Sequence, residues 1–272
     1  MRHILLPGML LLLLTSCQKE IDWGLSSNKD GDLLYKALEI SVVTNDTNTI
    51  NFKYDTEKRL IEYHSKGKVN AQQIDMKYVI TRDGSGKILK IKETISGFID
   101  STIFLPTYAN GKLQYSISQT YASLFTQKDS SVFSYNSAGL VSGKKMYTDI
   151  LGTMELTSEQ FYTYDGSGNP IKIDYYASDM MGGMILFSSV TQTFTSRKNP
   201  VTLGEESFLI LEPSNVAVNY ISQRVINSVL GQDFTTSITG QTFTNNNRPM
   251  QSLISTTPQP PGYDVKVTFF YQ

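Results

Sequence analysis

The sequence predicts an all-β protein. The architecture expected is an antiparallel up-and-down meander of about 16–18 strands, closed or flattened into a β-barrel, with a hairpin repeat of about 27 residues. Three observations predict it. Thr, Ser, Asn and Gln stand where charges usually do, with 16 Tyr and 13 Phe among 272 residues and only 18% charged, a mixture that favours strands and turns. A turn phrase returns along the chain. Its flanks alternate apolar and polar side chains, the period of strands with one dry and one wet face.

The elements follow in chain order. Residues 1–16, MRHILLPGMLLLLLTS, place one arginine before an apolar run and end on small residues. The run is shorter than the ~20 apolar residues that a bilayer span needs, so it reads as a signal peptide. Cys17, the only cysteine, follows it. Its loss to modification excludes disulfides and cysteine metal sites. Residues 17–31 are polar and rich in Ser, Asn and Asp, a flexible tether. Residues 32–272 form a single β domain.

Leu14-Thr15-Ser16-Cys17 resembles the lipobox of bacterial lipoproteins. The resemblance implies cleavage before Cys17, a diacylglycerol on its sulfur and a further acyl chain, such as palmitate, on its amine. Lys19-Glu20-Ile21-Asp22 is similar to the signal that sends lipoproteins of the Bacteroides phylum to the outer face of the outer membrane. The expected partner of Cys17 is therefore the membrane, and the expected place is the cell envelope.

The turn phrase is an aromatic, four or five turn residues, then Leu, Ile, Val or Pro. It occurs as YDTEKRL from Tyr54, RDGSGKI from Arg82, YANGKL from Tyr108, YNSAGL from Tyr135, YDGSGNP from Tyr164, FTSRKNP from Phe194 and FTNNNRP from Phe243. The interval after Phe194 is nearly double the others, and YISQRV from Tyr220 is the expected worn copy within it. Asp, Asn and Gly tolerate the left-handed backbone of short turns. Pro170, Pro200 and Pro249 stand where a strand begins, a position that needs no N–H. Leu34–Val43 and Val265–Tyr271 are expected as strands at the two ends.

Successive tight turns leave room for two strands and a second connection, so the tight turns share one rim and the variable connections the other. Among these connections are SKGKVNAQ, YASLFTQKDS, TDILGTMELTSE, SDMMGGMIL and LGEESFLILEPSN. A sheet of this many twisted strands closes or folds over into two layers. An apolar interior is expected, because lipidation already supplies an anchor and the chain ends on Gln272 rather than an aromatic. The chain resembles the Tyr-Asp repeats of RHS proteins, and more closely a Bacteroides-phylum lipoprotein family of unknown function. That resemblance implies a porin-like antiparallel barrel.

Chemistry-bearing constellations are sparse. Net charge is −1, with no basic field for nucleic acid. The mature chain has one histidine, His64, so metal clusters and a Ser-His-Asp triad lack material. The DGSG turns at Asp83 and Asp165 hold one acid each, too few for calcium. No catalytic residue, metal or cofactor is expected, and the protein is read as no enzyme. Adjacent Glu205 and Glu206 offer a hydrolytic pair only if folded across a cleft. Phe208, Leu209 and Leu211 are expected to plug the core. Phe125, Met180, Met181 and Met184 are the candidate ligand-binding residues, apolar and adaptable at the variable rim. The expectation is a surface binding module for a glycan, peptide or envelope-protein partner. A structural envelope protein is the alternative, and a glycoside hydrolase the third.

Overall fold

The computed structural model describes residues 33–69, 72–96, 99–122, 125–179, 182–198, 207–210, 218–258 and 264–271. Cys17, Met180, Met181, Glu205, Glu206 and Leu211 lie outside these residues.

The first eight strands are β1 (Leu34–Ser41), β2 (Thr47–Tyr54), β3 (Leu60–Val69), β4 (Gln72–Arg82), β5 (Ile88–Ile95), β6 (Ile99–Ala109), β7 (Lys112–Ala122) and β8 (Phe125–Tyr135). Then come β9 (Val141–Ile150), β10 (Thr153–Tyr164), β11 (Pro170–Ser178) and β12 (Met184–Lys198). A short helix, α1 (Ser207–Ile210), precedes β13 (Val218–Asn227), β14 (Gln232–Phe243), β15 (Pro249–Thr257) and β16 (Val265–Tyr271). All 16 strands join in chain order, and β1 pairs with β16 to close the barrel. Closure leaves no sheet edge for another chain to add to.

Five of the described tight turns share one construction, while Asn110-Gly111 makes a two-residue turn between β6 and β7. In Asp55–Arg59, Asp83–Lys87, Asn136–Leu140, Asp165–Asn169 and Thr244–Arg248, the first residue's N–H donates to the last residue's carbonyl. The first residue's side-chain oxygen accepts the last residue's N–H at 2.8–3.2 Å. The fourth residue is left-handed, with φ from 62° to 92° at Lys58, Gly86, Gly139, Gly168 and Asn247. An Asp, Asn or Thr that caps its own turn therefore opens each of them.

The aromatic before the turn has a separate task. Tyr54 Oη donates to the Leu34 carbonyl at 2.8 Å, Tyr135 to Leu113 at 2.6 Å and Tyr164 to Val141 at 2.6 Å. Each carbonyl belongs to the first or second residue of the strand immediately before, its hydrogen-bonded neighbour. Arg82, where the phrase lacks its aromatic, reaches the Leu60 carbonyl through Nη2 at 3.0 Å. Tyr271 makes the same contact with Pro249 at 2.7 Å. Tyr271 follows Phe243 by 28 residues, so the eighth copy stands there, at the closing junction. Tyr220 instead lies inside β13, which corrects the expected worn copy. The long interval comes from an insertion between β12 and β13 that carries α1.

These contacts define a clasp rim, where β1 begins. The opposite rim differs from expectation, because strands run up into its connections. Only 70–71 separate β3 from β4, 123–124 separate β7 from β8, and the left-handed pair Leu151-Gly152 turns β9 into β10. Their Ser, Thr and Lys residues resembled loop because both faces of these strands are polar here. The insertion holding Phe208 runs from β12 to β13, and so belongs to the clasp rim rather than the variable one.

The barrel interior is divided along its axis. Leu34, Leu60, Ile88, Leu113, Val141 and Ile173 are buried near the clasp rim. Phe208 packs edge-on against Tyr162 and Phe133, with ring centroids 5.2 and 6.3 Å apart, and Leu209 is buried beside it in sequence. This apolar floor matches the expected core and plug. Towards the other rim the inward positions turn polar, with Glu39, Asn48, Ser65, Thr102, Asn227, Thr236 and Thr256 buried. The apolar interior expected from sequence therefore holds near the clasp rim, and towards the other rim buried Ile50, Ile254, Val265 and Val267 are interspersed with these polar groups.

Candidate functional site: the polar mouth

The polar half is built from cross-strand rows. One runs Phe52, Tyr63, Tyr78, Glu93, Thr102, Thr120, Gln127 across β2 to β8, each residue paired with the next. Phe52 and Tyr63 meet edge-on at 5.5 Å, and Tyr63 and Tyr78 lie 5.9 Å apart. Tyr78 Oη donates to Glu93, and Thr102 and Thr120 hydroxyls are 3.1 Å apart. The row climbs from the buried aromatic wall to the rim.

Glu39 sits beside this row. Asn48 Nδ2 donates to its Oε2 at 2.8 Å and to Ser65 Oγ at 2.8 Å. Glu39 Oε1 is enclosed with no hydrogen-bond partner. Burial pushes its carboxyl up to about 7, against the opposing Asn48 hydrogen bond. Burial likewise raises Glu93. Tyr63 is raised by burial and then by the neighbouring Glu39 charge. Desolvation disfavours the ionised form of each group.

A second row, Phe104, Ser118, Asp129, Thr148, Glu155, crosses β6 to β10. Ser118, Asp129 and Thr148 are half-buried and Glu155 exposed, so this stretch is open to solvent from the rim. Asp129 lies four residues inward of the start of β8, about 13 Å down the wall.

Phe125 begins β8, exposed, on the same alternation as Asp129 and Phe133, so it stands at the lip of this row. Met184 begins β12 and pairs with Ser178, on the outward alternation of Tyr176. The structure therefore separates these two candidates. The Asp179–Gly183 turn before Met184 is closed by Gly183 N–H donating to Asp179 Oδ1 at 2.8 Å, with Gly182 left-handed at φ 88°. It repeats the clasp-rim turn on the opposite rim. Sequence reading missed Glu39, Glu93 and Asp129. Their signal was a lone acid at an inward position of a strand.

The outer wall carries the cations. Glu62 bridges Lys53 at 2.9 Å and Lys77 at 3.0 Å across β2, β3 and β4. Asp75 joins His64 at 2.9 Å and Lys66 at 3.1 Å, which holds its carboxyl below the usual range. His64 is thus a surface strand histidine, as expected. Lys145–Glu159 and Arg224–Asp233 continue the pattern at 2.7 and 2.6 Å. Between them Leu105, Tyr115, Val132 and Phe161 are exposed.

The same architecture occurs among solved structures. A porin-like protein from Bacteroides uniformis ATCC 8492 superposes with TM-score 0.53 at 13% identity, over 88% of this chain and 98% of its own. A porin-like protein from Bacteroides vulgatus ATCC 8482 gives 0.55 at 8% identity, over 89% and 99%. The chain has their fold. At these identities the likeness extends to architecture and no further. No protein-family model and no curated protein matches the chain.

Proposed function

We propose that the protein is a lipid-anchored binding cup of the bacterial envelope, loaded through its polar mouth and without catalytic activity. The observation that carries this is the gathering of buried polar side chains towards the rim opposite an apolar floor and its plug. Such a vessel admits a polar ligand from one end and stops it at the other. Acylation of Cys17 at the lipobox-like segment would tether it. Because β1 begins at the clasp rim, a tether entering there leaves the mouth pointing away from the bilayer. The charged ladder on β2 to β4 favours an outer wall in water, since Lys facing lipid at mid-depth costs roughly 2–4 kcal/mol.

The test has two arms. Cys17→Ala should abolish palmitate labelling and move the protein from the membrane to the soluble fraction. Thr148→Trp, at the open row, should abolish capture of small polar ligands in a calorimetric screen while the thermal midpoint holds. Capture undiminished by the tryptophan would overturn the cup.

A second reading, an envelope protein that docks partners, is favoured by the exposed Leu105, Tyr115, Val132 and Phe161. Crosslinking in cells from this face would bring it forward.

A further inference from the structure

The hairpins leave a common irregularity at the clasp rim. Near the start of each outgoing strand the register slips by one residue, a β-bulge, and the extra residue follows a buried one and leaves the interior face. These extra residues are Ile61, Leu89, Ile171 and Met250, and Tyr35 is their counterpart where β1 meets β16. Leu89, Met250 and Tyr35 are exposed, and Ile61 and Ile171 are half-buried. The bulge does not require an apolar side chain, since Gln114 and Ser142 fill it on β7 and β9. Tyr35 also stands 6.5 Å from the Phe270 ring, with Lys36 Nζ 5.4 Å from the same ring. A dispersed apolar girdle thus circles the rim at which β1 begins.

The same rim carries cations that no acid meets. Lys87, Lys90 and Lys92 flank Leu89, all exposed, and Asp83 is the only acid in residues 82–92. Lys112 opens β7 and donates to the Gly139 carbonyl of the next turn at 3.4 Å. The Lys87 and Lys112 ammonium groups lie 5.5 and 4.6 Å from the Tyr108 and Tyr135 ring centroids. Among the described residues no acid lies within ion-pair distance of these four lysines, whereas Arg59 in the neighbouring turn is met by Asp55 and Glu57. The opposite rim exposes apolar residues too, Val43, Leu151 and Leu230 among them. There they stand among Asp46, Asp149, Asp179, Asp233 and Asp264, in or beside the connections. An anionic surface therefore attracts the clasp rim and repels the mouth.

We propose that the clasp rim docks on a bilayer of anionic lipids, with its bulge residues among the headgroups and Lys87, Lys90, Lys92 and Lys112 on their phosphates. Neighbouring bulges are two strands apart, roughly 10 Å around the rim. Anchors so dispersed suit a fluid interface, which needs no matching pocket, and not a protein partner, which needs a contiguous patch. The wall above the rim stays in water. The proposal rests on the lipid-anchor reading and adds an orientation to it: acyl chains hold the protein at the bilayer, and the rim sets the barrel upright with its mouth outward. Screened at physiological salt, the rim contact steers the barrel and does not retain it alone.

The barrel closes within residues 34–271, so residues 18–272 without acyl chains are the test material. Vesicles of equimolar phosphatidylglycerol and phosphatidylcholine are compared with phosphatidylcholine alone by flotation at low salt. The anionic vesicles should bind at least about tenfold more tightly, and added salt should remove the difference. Lys87→Gln, Lys90→Gln and Lys92→Gln together should erase most of that preference. Lys90→Gln with Lys92→Gln repeats the test without touching the Lys87–Tyr108 contact. Leu89→Ser with Met250→Ser should weaken binding to anionic vesicles by about fivefold or more. Circular dichroism and the thermal midpoint should hold, as Ser142 already fills such a bulge. Leu151→Ser with Val43→Ser, on the opposite rim, should alter nothing. Equal binding to both kinds of vesicle, a preference kept by the lysine variants, or a loss confined to the Leu151 and Val43 variant each overturns the proposal. Palmitate on Cys17 of the native protein is measured separately. Label present with no anionic preference removes the dock and leaves the anchor, and the converse removes the anchor and leaves the dock.

Discussion

Tyr164 does two things at once. Its ring packs against the apolar floor, and its hydroxyl reaches the Val141 carbonyl on the neighbouring strand β9. A phenylalanine there keeps the ring and orphans a half-buried carbonyl. Tyr164→Phe should lower unfolding free energy by about 1 kcal/mol in urea titration, the usual net worth of such a bond. The loss should fall on stability alone, because Tyr164 is remote from the mouth. Phe194 and Phe243 occupy the same place in the phrase without a hydroxyl. Among the clasp donors are Tyr54, Arg82, Tyr135, Tyr164 and Tyr271.

At the scale of elements, α1 is the clearest departure from a bare meander. Phe208 is buried between Phe133 and Tyr162 and belongs to the only described helix. Phe208→Ala should cost about 3 kcal/mol by the same titration, through lost burial and the cavity left behind. Its plugging role was legible from Phe208 and Leu209 because an apolar cluster broke the strand rhythm. The hairpins were legible too, since Asp165, Asn136 and Asp83 announce turns by chemistry that acts within five residues. The closing copy at Tyr271 was not, because its partner turn joins two ends distant in sequence. Nor was the mouth: nothing singled out Glu93, Asp129 fell within YASLFTQKDS, which reads as a connection, and only ring closure decides which face of a strand is inside. Phe125 and Met184 were grouped as neighbours on one rim, and strand alternation sends them to opposite faces.

For the whole molecule, buried and paired carboxyls act in separate pH windows. Glu39 has its folded pKa raised to about 7 from 4.5, so between those values the folded state holds a proton that the unfolded state has lost. Stability is then highest below the unfolded value and falls as pH rises through the folded one, by a few kcal/mol. Glu93, also raised, adds in the same direction. Asp75, Asp83 and Asp233 are lowered by their hydrogen-bond partners His64, Ser85 and Arg224, and act oppositely, losing stability only as pH falls below the ordinary carboxylate range. Urea midpoints measured from pH 4.5 to 7.5 should decline for wild type. For Glu39→Gln the decline should be shallower. An unaltered slope in that variant would place the titrating group elsewhere.

The pairing of β1 with β16 has a kinetic corollary. Neighbouring hairpins need only local contacts, but the first strand's second partner is the last to be made, and fifteen consecutive strand pairs must exist before the ring can shut. During synthesis β1 carries an open edge that invites aggregation. A chain threaded unfolded across a membrane, and released whole on the far side, meets its two ends together for the first time in the compartment where it works.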